Sequence, residues 1–224
     1  MKTAIKLARA HFALNFPKAI SLMFLMSAIM FAPNYPRIVV ALFVVMPIMS
    51  LFGFIREHRT DDVFSGLPVR RADIINGQAL FAVCIEMIYL ALMAVFAVVT
   101  SFIPFGGGTI ASTTVGINGT VAFFGVVFVA YGIFNAILLP VYFKGGKSSP
   151  SASVLAALCG VLGALVPYLG AELLSYFSPF FYALFHSFDF SVIGWQLLVL
   201  FMGAAGFFAL TYTGAFYAVK VYDK

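Results

Sequence analysis

The chain has 224 residues, of which 63% are hydrophobic and only 9% charged. Soluble globular domains carry roughly 45–50% apolar and about 25% charged residues, and a chain this short has too little interior to hide the surplus. A soluble fold is therefore excluded, and the net charge of +5 does not describe a nucleic-acid surface, because the basic residues fall in short clusters between apolar runs.

Residues 2–15 read as an amphipathic helix. Lys2, Lys6 and Arg9 recur at i, i+4 and i+7, with Ile5, Leu7, Ala8, Phe12 and Leu14 elsewhere around the wheel. Such a stripe suits a helix lying in the headgroup plane, and Pro17 is expected to end it. The basic stretch is long and is followed by further apolar segments, so it reads as a retained helix and not as a cleaved leader.

Six segments of ~20 residues each are then long enough to cross ~30 Å of hydrocarbon. They run over 17–33, 38–55, 75–103, 118–143, 152–170 and 194–219. Pro33, Asn34, Tyr35 and Pro36 make the first turn. A charge-free stretch with Gly106, Gly107 and Gly108 makes the third connection, and Gly145, Gly146, Ser148, Ser149 and Pro150 make the fourth.

Six crossings place Lys2, Lys6, Arg9, Lys18, Arg56, Arg59, Arg70, Arg71, Lys144, Lys147, Lys220 and Lys224 on one side and leave Arg37 on the other. That bias assigns the first side, with both termini, to the cytoplasm. The aromatic stretch 171–193, broken at Pro179 and carrying Glu172 and Asp189, is expected on the outer side. It reads as a re-entrant or interfacial helix pair, or as an ordinary loop in an aromatic belt.

Catalytic chemistry finds little footing. His11, His58 and His186 are scattered, and no HExxH spacing for zinc occurs. Cys84 and Cys159 each fall inside an apolar run, without a pairing framework. Gly146-Lys147-Ser148 resembles the end of a phosphate loop, but Val141 stands where that loop needs glycine. No catalytic residue, metal site or bound cofactor is expected in this chain.

Glu86 lies mid-way along the third apolar segment. An ionisable group at that depth must face a cavity, find a partner or stay neutral. It reads equally as part of a translocation path or gate and as a hydrogen-bonded residue that pins helix packing. Asn135 and Glu172 are weaker path or gate candidates, and Gln196 is more in keeping with interhelical hydrogen bonding. Gly160, Ala164, Gly163, Gly203 and Gly206 mark close helix contacts.

The densest charge lies in the second cytoplasmic connection, from Arg56-Glu57-His58-Arg59 through Asp61 and Asp62 to Leu67-Pro68-Val69-Arg70-Arg71 and Asp73. A tether needs only a few basic residues. This segment mixes both signs, includes a helix-compatible run over 56–65 and then breaks at Gly66–Pro68. It suits a docking knob for a cytoplasmic partner.

The stretch "SGLPVRRADII" resembles the Leu-Pro-Val-x-Arg signature of small six-span ABC-2-type transporter permeases, and is most similar to the branch that includes the phenol-soluble-modulin exporters. The resemblance implies one all-α permease domain over 1–224. Within it, 1–16 is an interfacial helix, 56–73 the coupling segment and 171–193 an outer broken hairpin. It also implies that Glu57, Arg59, Asp61, Asp62, Leu67, Pro68, Arg70 and Arg71 engage a separate ATP-binding subunit that holds ATP and Mg. A second permease chain, a second copy before a paralogue, would complete an exporter of amphipathic peptides, antibiotics or lipid-like molecules. An ATPase-independent secondary transporter or channel is the rival class; it predicts several buried ionisable groups, and Glu86 is the clear one.

Overall fold

The fold comes from a computed structural model that describes residues 2–49, 52, 70–113, 116–144, 150–188 and 190–222. The chain is all-α apart from one small hairpin. Its helices are α1 (Lys2–Ser27), α2 (Arg37–Leu42), α3 (Arg71–Thr100), α4 (Val121–Tyr142), α5 (Pro150–Phe177), α6 (Pro179–His186) and α7 (Ile193–Tyr222). Among the described residues, four helices are long and apolar enough to cross a membrane: Ala72–Thr100, Val121–Tyr142, Val154–Phe177 and Phe190–Tyr222. Leu22–Phe31 and Arg37–Met49 are shorter apolar helices.

The break expected at Pro17 does not occur, because α1 continues through it to Ser27. A proline removes one backbone bond, and a helix held by neighbours in an apolar solvent tolerates that loss. The holding contact is visible at Gly77 of α3, where an added Cβ would stand 3.0 Å from the Leu7 Cβ and 3.2 Å from the Ala4 carbonyl oxygen. Ala4, Leu7 and Ala8 are correspondingly buried. Further along, Phe24 and Phe31 both pack on Phe96 at 5.6 and 5.2 Å between ring centroids. The pairings rise together, so α1 and α3 run parallel.

Between them the chain turns through Asn34 (φ +58°), a left-handed conformation that asparagine tolerates. Arg37 is buried there and donates from Nη1 to the Met30 carbonyl at 2.7 Å. The third connection is a hairpin in which Phe105 pairs with Gly108 across Gly106 and Gly107. Both glycines have positive φ, +58° and +88°, as a type I′ turn requires.

The centre of the bundle is α4, which packs most extensively on α7 and then on α5. Its seam with α7 is made of small residues. A Cβ on Gly125 would approach the Val199 carbonyl oxygen to 2.5 Å, one on Gly132 would stand 2.9 Å from the Phe207 Cα, and one on Gly214 would stand 2.8 Å from the Ala136 Cα. Gly203 faces the Gly125 backbone directly. These pairings also rise together, so α4 and α7 are parallel, and their backbones approach as closely as helices in lipid do when small residues line the contact. Gly160 of α5 meets Phe134, and Gly163 meets Ile133 and Ile137, which makes α5 antiparallel to α4.

One end of the bundle thus gathers the N-terminal turns of α1, the start of α3, the pair Phe52–Tyr142 and the pair Phe143–Tyr222. Arg37 lies at the other end. The structure buries 61% of the apolar window of α4 but 17% of that of α7, so most of α7 is left for lipid or another chain.

Gly203→Val should destabilise the chain by about 1–3 kcal/mol through overpacking. Gly206→Ala should be near neutral, since its Cβ would meet only Val129 at an ordinary 3.7 Å. Thermal unfolding in detergent micelles checks the pair, and equal losses would refute the seam.

Candidate functional site

The sequence-predicted coupling residues Glu57, Arg59, Asp61, Asp62, Leu67 and Pro68 lie outside the described residues. Arg70 is described as the extended N-cap of α3, Arg71 opens the helix, and Asp73 sits in its first turn, where an acid complements the helix dipole.

Glu86 and Asn135, singled out on separate helices, meet in the centre of the bundle. Asn135 Nδ2 donates to Glu86 Oε2 at 2.8 Å and to Thr211 Oγ1 at 3.2 Å. Glu86 and Asn135 have no solvent exposure, and Thr211 is buried as well. The knot therefore ties α3, α4 and α7 together at one depth. Glu86 Oε1 and Asn135 Oδ1 have no hydrogen-bond partner. Among the described residues no cation pairs with Glu86, and no three His, Cys, Asp or Glu side chains gather as a metal set.

Three tyrosines missed by the sequence reading surround the segment 37–52. Its helix breaks at 43–44 and resumes over 45–49, upstream of Pro47, whose ring crowds the preceding turn and supplies no N–H. Tyr89 of α3 donates to the Val40 carbonyl at 2.6 Å, and Tyr131 of α4 donates to Ala41 at 2.7 Å. Tyr142 donates to Phe52 at 3.2 Å. A tyrosine buried in an apolar run must find a partner for its hydroxyl, and that requirement was the available signal. The pairings make 37–52 parallel to α4 and antiparallel to α3.

Glu172 does not join the central knot. It was placed in an outer segment beyond a fifth span ending at 170, yet α5 runs on to Phe177. The helix can continue because the carboxylate is satisfied: the Ile117 N–H donates to Oε1 at 2.7 Å, and the Tyr168 hydroxyl at 2.9 Å. His186 Nε2 stands 3.8 Å from Oε2. Around this group Asn118 Nδ2 donates to the His186 carbonyl, Thr120 Oγ1 to Phe185, and Gln196 Nε2 to Leu184 and Ser187. The chain breaks at Ser178 (φ −141°), and Pro179 then opens α6. Gly116 (φ +79°) leaves room for Tyr168 and Glu172, which an added Cβ would strike. In place of a helix pair over 171–193, α5 is prolonged and the single short helix α6 follows, its last carbonyls bonded to the 116–120 connection.

A family model described as ABC-2 family transporter protein matches residues 9–223. The chain belongs to that family. No curated protein and no solved structure matches it. ABC-2 permeases are membrane transport components and are not themselves the ATPase; members of the family generally pair with an ATP-binding subunit and the membrane. The clustered polar groups described above belong, accordingly, to a multi-pass transport protein of all-α type.

Tyr131→Phe should cost about 1 kcal/mol, because the Ala41 carbonyl would keep only short-range backbone donors, Val44 at 3.4 Å and the shared Phe43 N–H. The double variant Tyr89→Phe plus Tyr131→Phe should lose more than either alone. Thermal midpoints in micelles report both, and a neutral double variant would show that these hydroxyls do not hold the broken segment.

Proposed function

We propose that this ABC-2 permease is the transmembrane subunit of an ATP-driven exporter, working as a homodimer with a separate ATP-binding subunit that carries ATP and Mg. The observation that carries the reading is the clustering of the chain's basic residues at one end of the bundle. Lys6, Arg9, Arg70, Lys144 and Lys220 belong to the end that holds the pairs Leu7–Gly77, Phe52–Tyr142 and Phe143–Tyr222, whereas Arg37 stands opposite. Helix directions read from contacts alternate through α1, 37–52, α3, α4, α5 and α7, as six crossings require. The positive-inside bias then makes the basic end cytoplasmic, with both termini there and the first turns of α1 at headgroup level.

In this reading the connection over 56–73 enters a groove of the ATP-binding subunit. Glu57, Arg59, Asp61 and Asp62 make the contact, while Leu67, Pro68, Arg70 and Arg71 shape the return into α3. Closure of the ATPase pair moves the connection, and the permease chains switch access to a path between them. Glu86 and Asn135 hold the inner gate, and Glu172 holds the outer hairpin that closes the far side. The Phe-, Met- and Leu-rich spans suit an amphipathic peptide, antibiotic or lipid-like cargo, as in the phenol-soluble-modulin exporter branch that the Leu67-Pro68-Val69 segment resembles.

Tagged chain isolated from its native membrane should bring down an ATP-hydrolysing subunit. Asp61→Lys together with Asp62→Lys should lower that recovery by about tenfold or more, as charge reversal at a paired contact costs several kcal/mol, while the variant's own thermal stability stays unchanged. Undiminished recovery, with hydrolysis still stimulated by the permease, would refute the coupling assignment.

A further inference from the structure

Two atoms in the central knot are shut off from solvent and have no hydrogen-bond partner among the described residues: Glu86 Oε1 and Asn135 Oδ1. They sit on the same two side chains that already share the Asn135 Nδ2 to Glu86 Oε2 bond of 2.8 Å. A carboxylate offers only acceptors, and so does the amide oxygen, so an ionised Glu86 leaves both atoms unsatisfied. One proton on Oε1, directed at Oδ1, satisfies both at once. The result is the cyclic acid–amide pair, with an N–H donated one way and an O–H the other.

We infer that Glu86 is a proton-binding site in the middle of the bundle, holding its proton as a carboxylic acid closed in a ring with Asn135. The inference stands apart from the ATP-driven reading above. An ionised carboxylate at this depth needs a counter-charge, and no described side chain pairs with it as a cation. On α4 the titratable group facing Glu86 is the Tyr131 hydroxyl, which in turn faces Tyr89 on α3 itself. Tyr131 and Tyr89 are committed as donors to the Ala41 and Val40 carbonyls. From α7 the contact is Thr211, which already accepts from Asn135. Of the α1 cations whose side chains are described, Lys6 and Arg9, Arg9 lines a groove with Leu80, Phe81 and Cys84; Cys84 is two residues from Glu86 and so across the helix from it.

The folded chain keeps this proton where an exposed glutamate has already lost its own, so stability falls as pH rises out of the ordinary glutamate range and levels off once the folded site itself gives up the proton. Glu86→Gln replaces the acid by an amide that makes the same ring and does not titrate. It should fold, and its thermal midpoint should exceed that of the wild type by a margin that widens with rising pH.

The direct test is infrared spectroscopy of the purified chain in lipid nanodiscs at neutral pH. Wild type minus Glu86→Gln should show the C=O stretch of a protonated carboxylic acid, and Asn135→Leu should move that band to higher frequency by removing the Nδ2 donor to the acid carbonyl. A difference spectrum with carboxylate stretches and no acid band overturns the inference. Should Glu86→Gln fail to fold, isotope-labelled glutamate carboxyls resolve the matter by NMR in the wild type, where Glu57, Glu86 and Glu172 are the three glutamates. Assigned by single Gln variants at the other two, the Glu86 resonance should be that of an acid at neutral pH; a carboxylate resonance refutes the site.

Discussion

A backbone inside hydrocarbon must satisfy its own carbonyls, because no water is present to do so. The segment 37–52 breaks at 43–44 ahead of Pro47, and there the Val40 and Ala41 carbonyls rely on short-range bonds from Phe43 and Val44. Tyrosines from α3 and α4 add a second donor to each, and a third tyrosine donates to Phe52. The constraint reaches beyond the segment itself. Three hydroxyls from two helices fix where 37–52 can lie, and in doing so they fix the depth of α3 against α4. The Glu86–Asn135 contact then falls in register, with its oxygens meeting in the dry interior.

Lipid provides no hydrophobic drive between helices, so their association rests on close packing and on hydrogen bonds. Both devices converge on α4. Its glycines at 125 and 132 admit the α7 backbone, while Gly160 and Gly163 of α5 admit Phe134 and Ile133 from its other side. Asn135 carries the polar link in the same helix turn that meets Gly214. The exposed apolar row of α7, with Phe201, Met202, Phe208 and Tyr212, is the surface this arrangement leaves uncovered.

Apolar length and the placement of lysine and arginine made the membrane class, the long helices and the basic end legible in the sequence. Gly160 and Gly163 of α5 and Gly203 of α7 were legible as contact points, whereas Gly206 meets only Val129 at an ordinary 3.7 Å. Three features escaped. Pro17 was weighed as a local breaker, and packing of Ala4, Leu7 and Ala8 on α3 overrode it. Glu172 read as part of an outer segment beyond a span ending at 170, whereas the Ile117 N–H and the Tyr168 hydroxyl, 55 and four positions away, satisfy its carboxyl group inside a longer helix. Thr211 and the tyrosines carry no periodic signal at all. Their partners are backbone carbonyls and side chains on other helices, which only the fold brings near.

The polar contacts also define how a movement would travel. Among the described residues α4 makes side-chain hydrogen bonds at the basic end through Tyr142 to Phe52, in the middle through Tyr131 and Asn135, and at the far end through its cap Thr120 to Phe185. Thr120 and Tyr142 are separated by about 33 Å of helix at 1.5 Å per residue. A rod gripped at both ends and at its centre moves as one body, because each grip is a discrete bond and packed interiors do not deform smoothly. Phe52 stands four residues before Arg56 in the chain. A displacement reaching Phe52 would therefore pass to α4 through Tyr142, and α6, bonded to the start of the same helix, would be the last element it reaches.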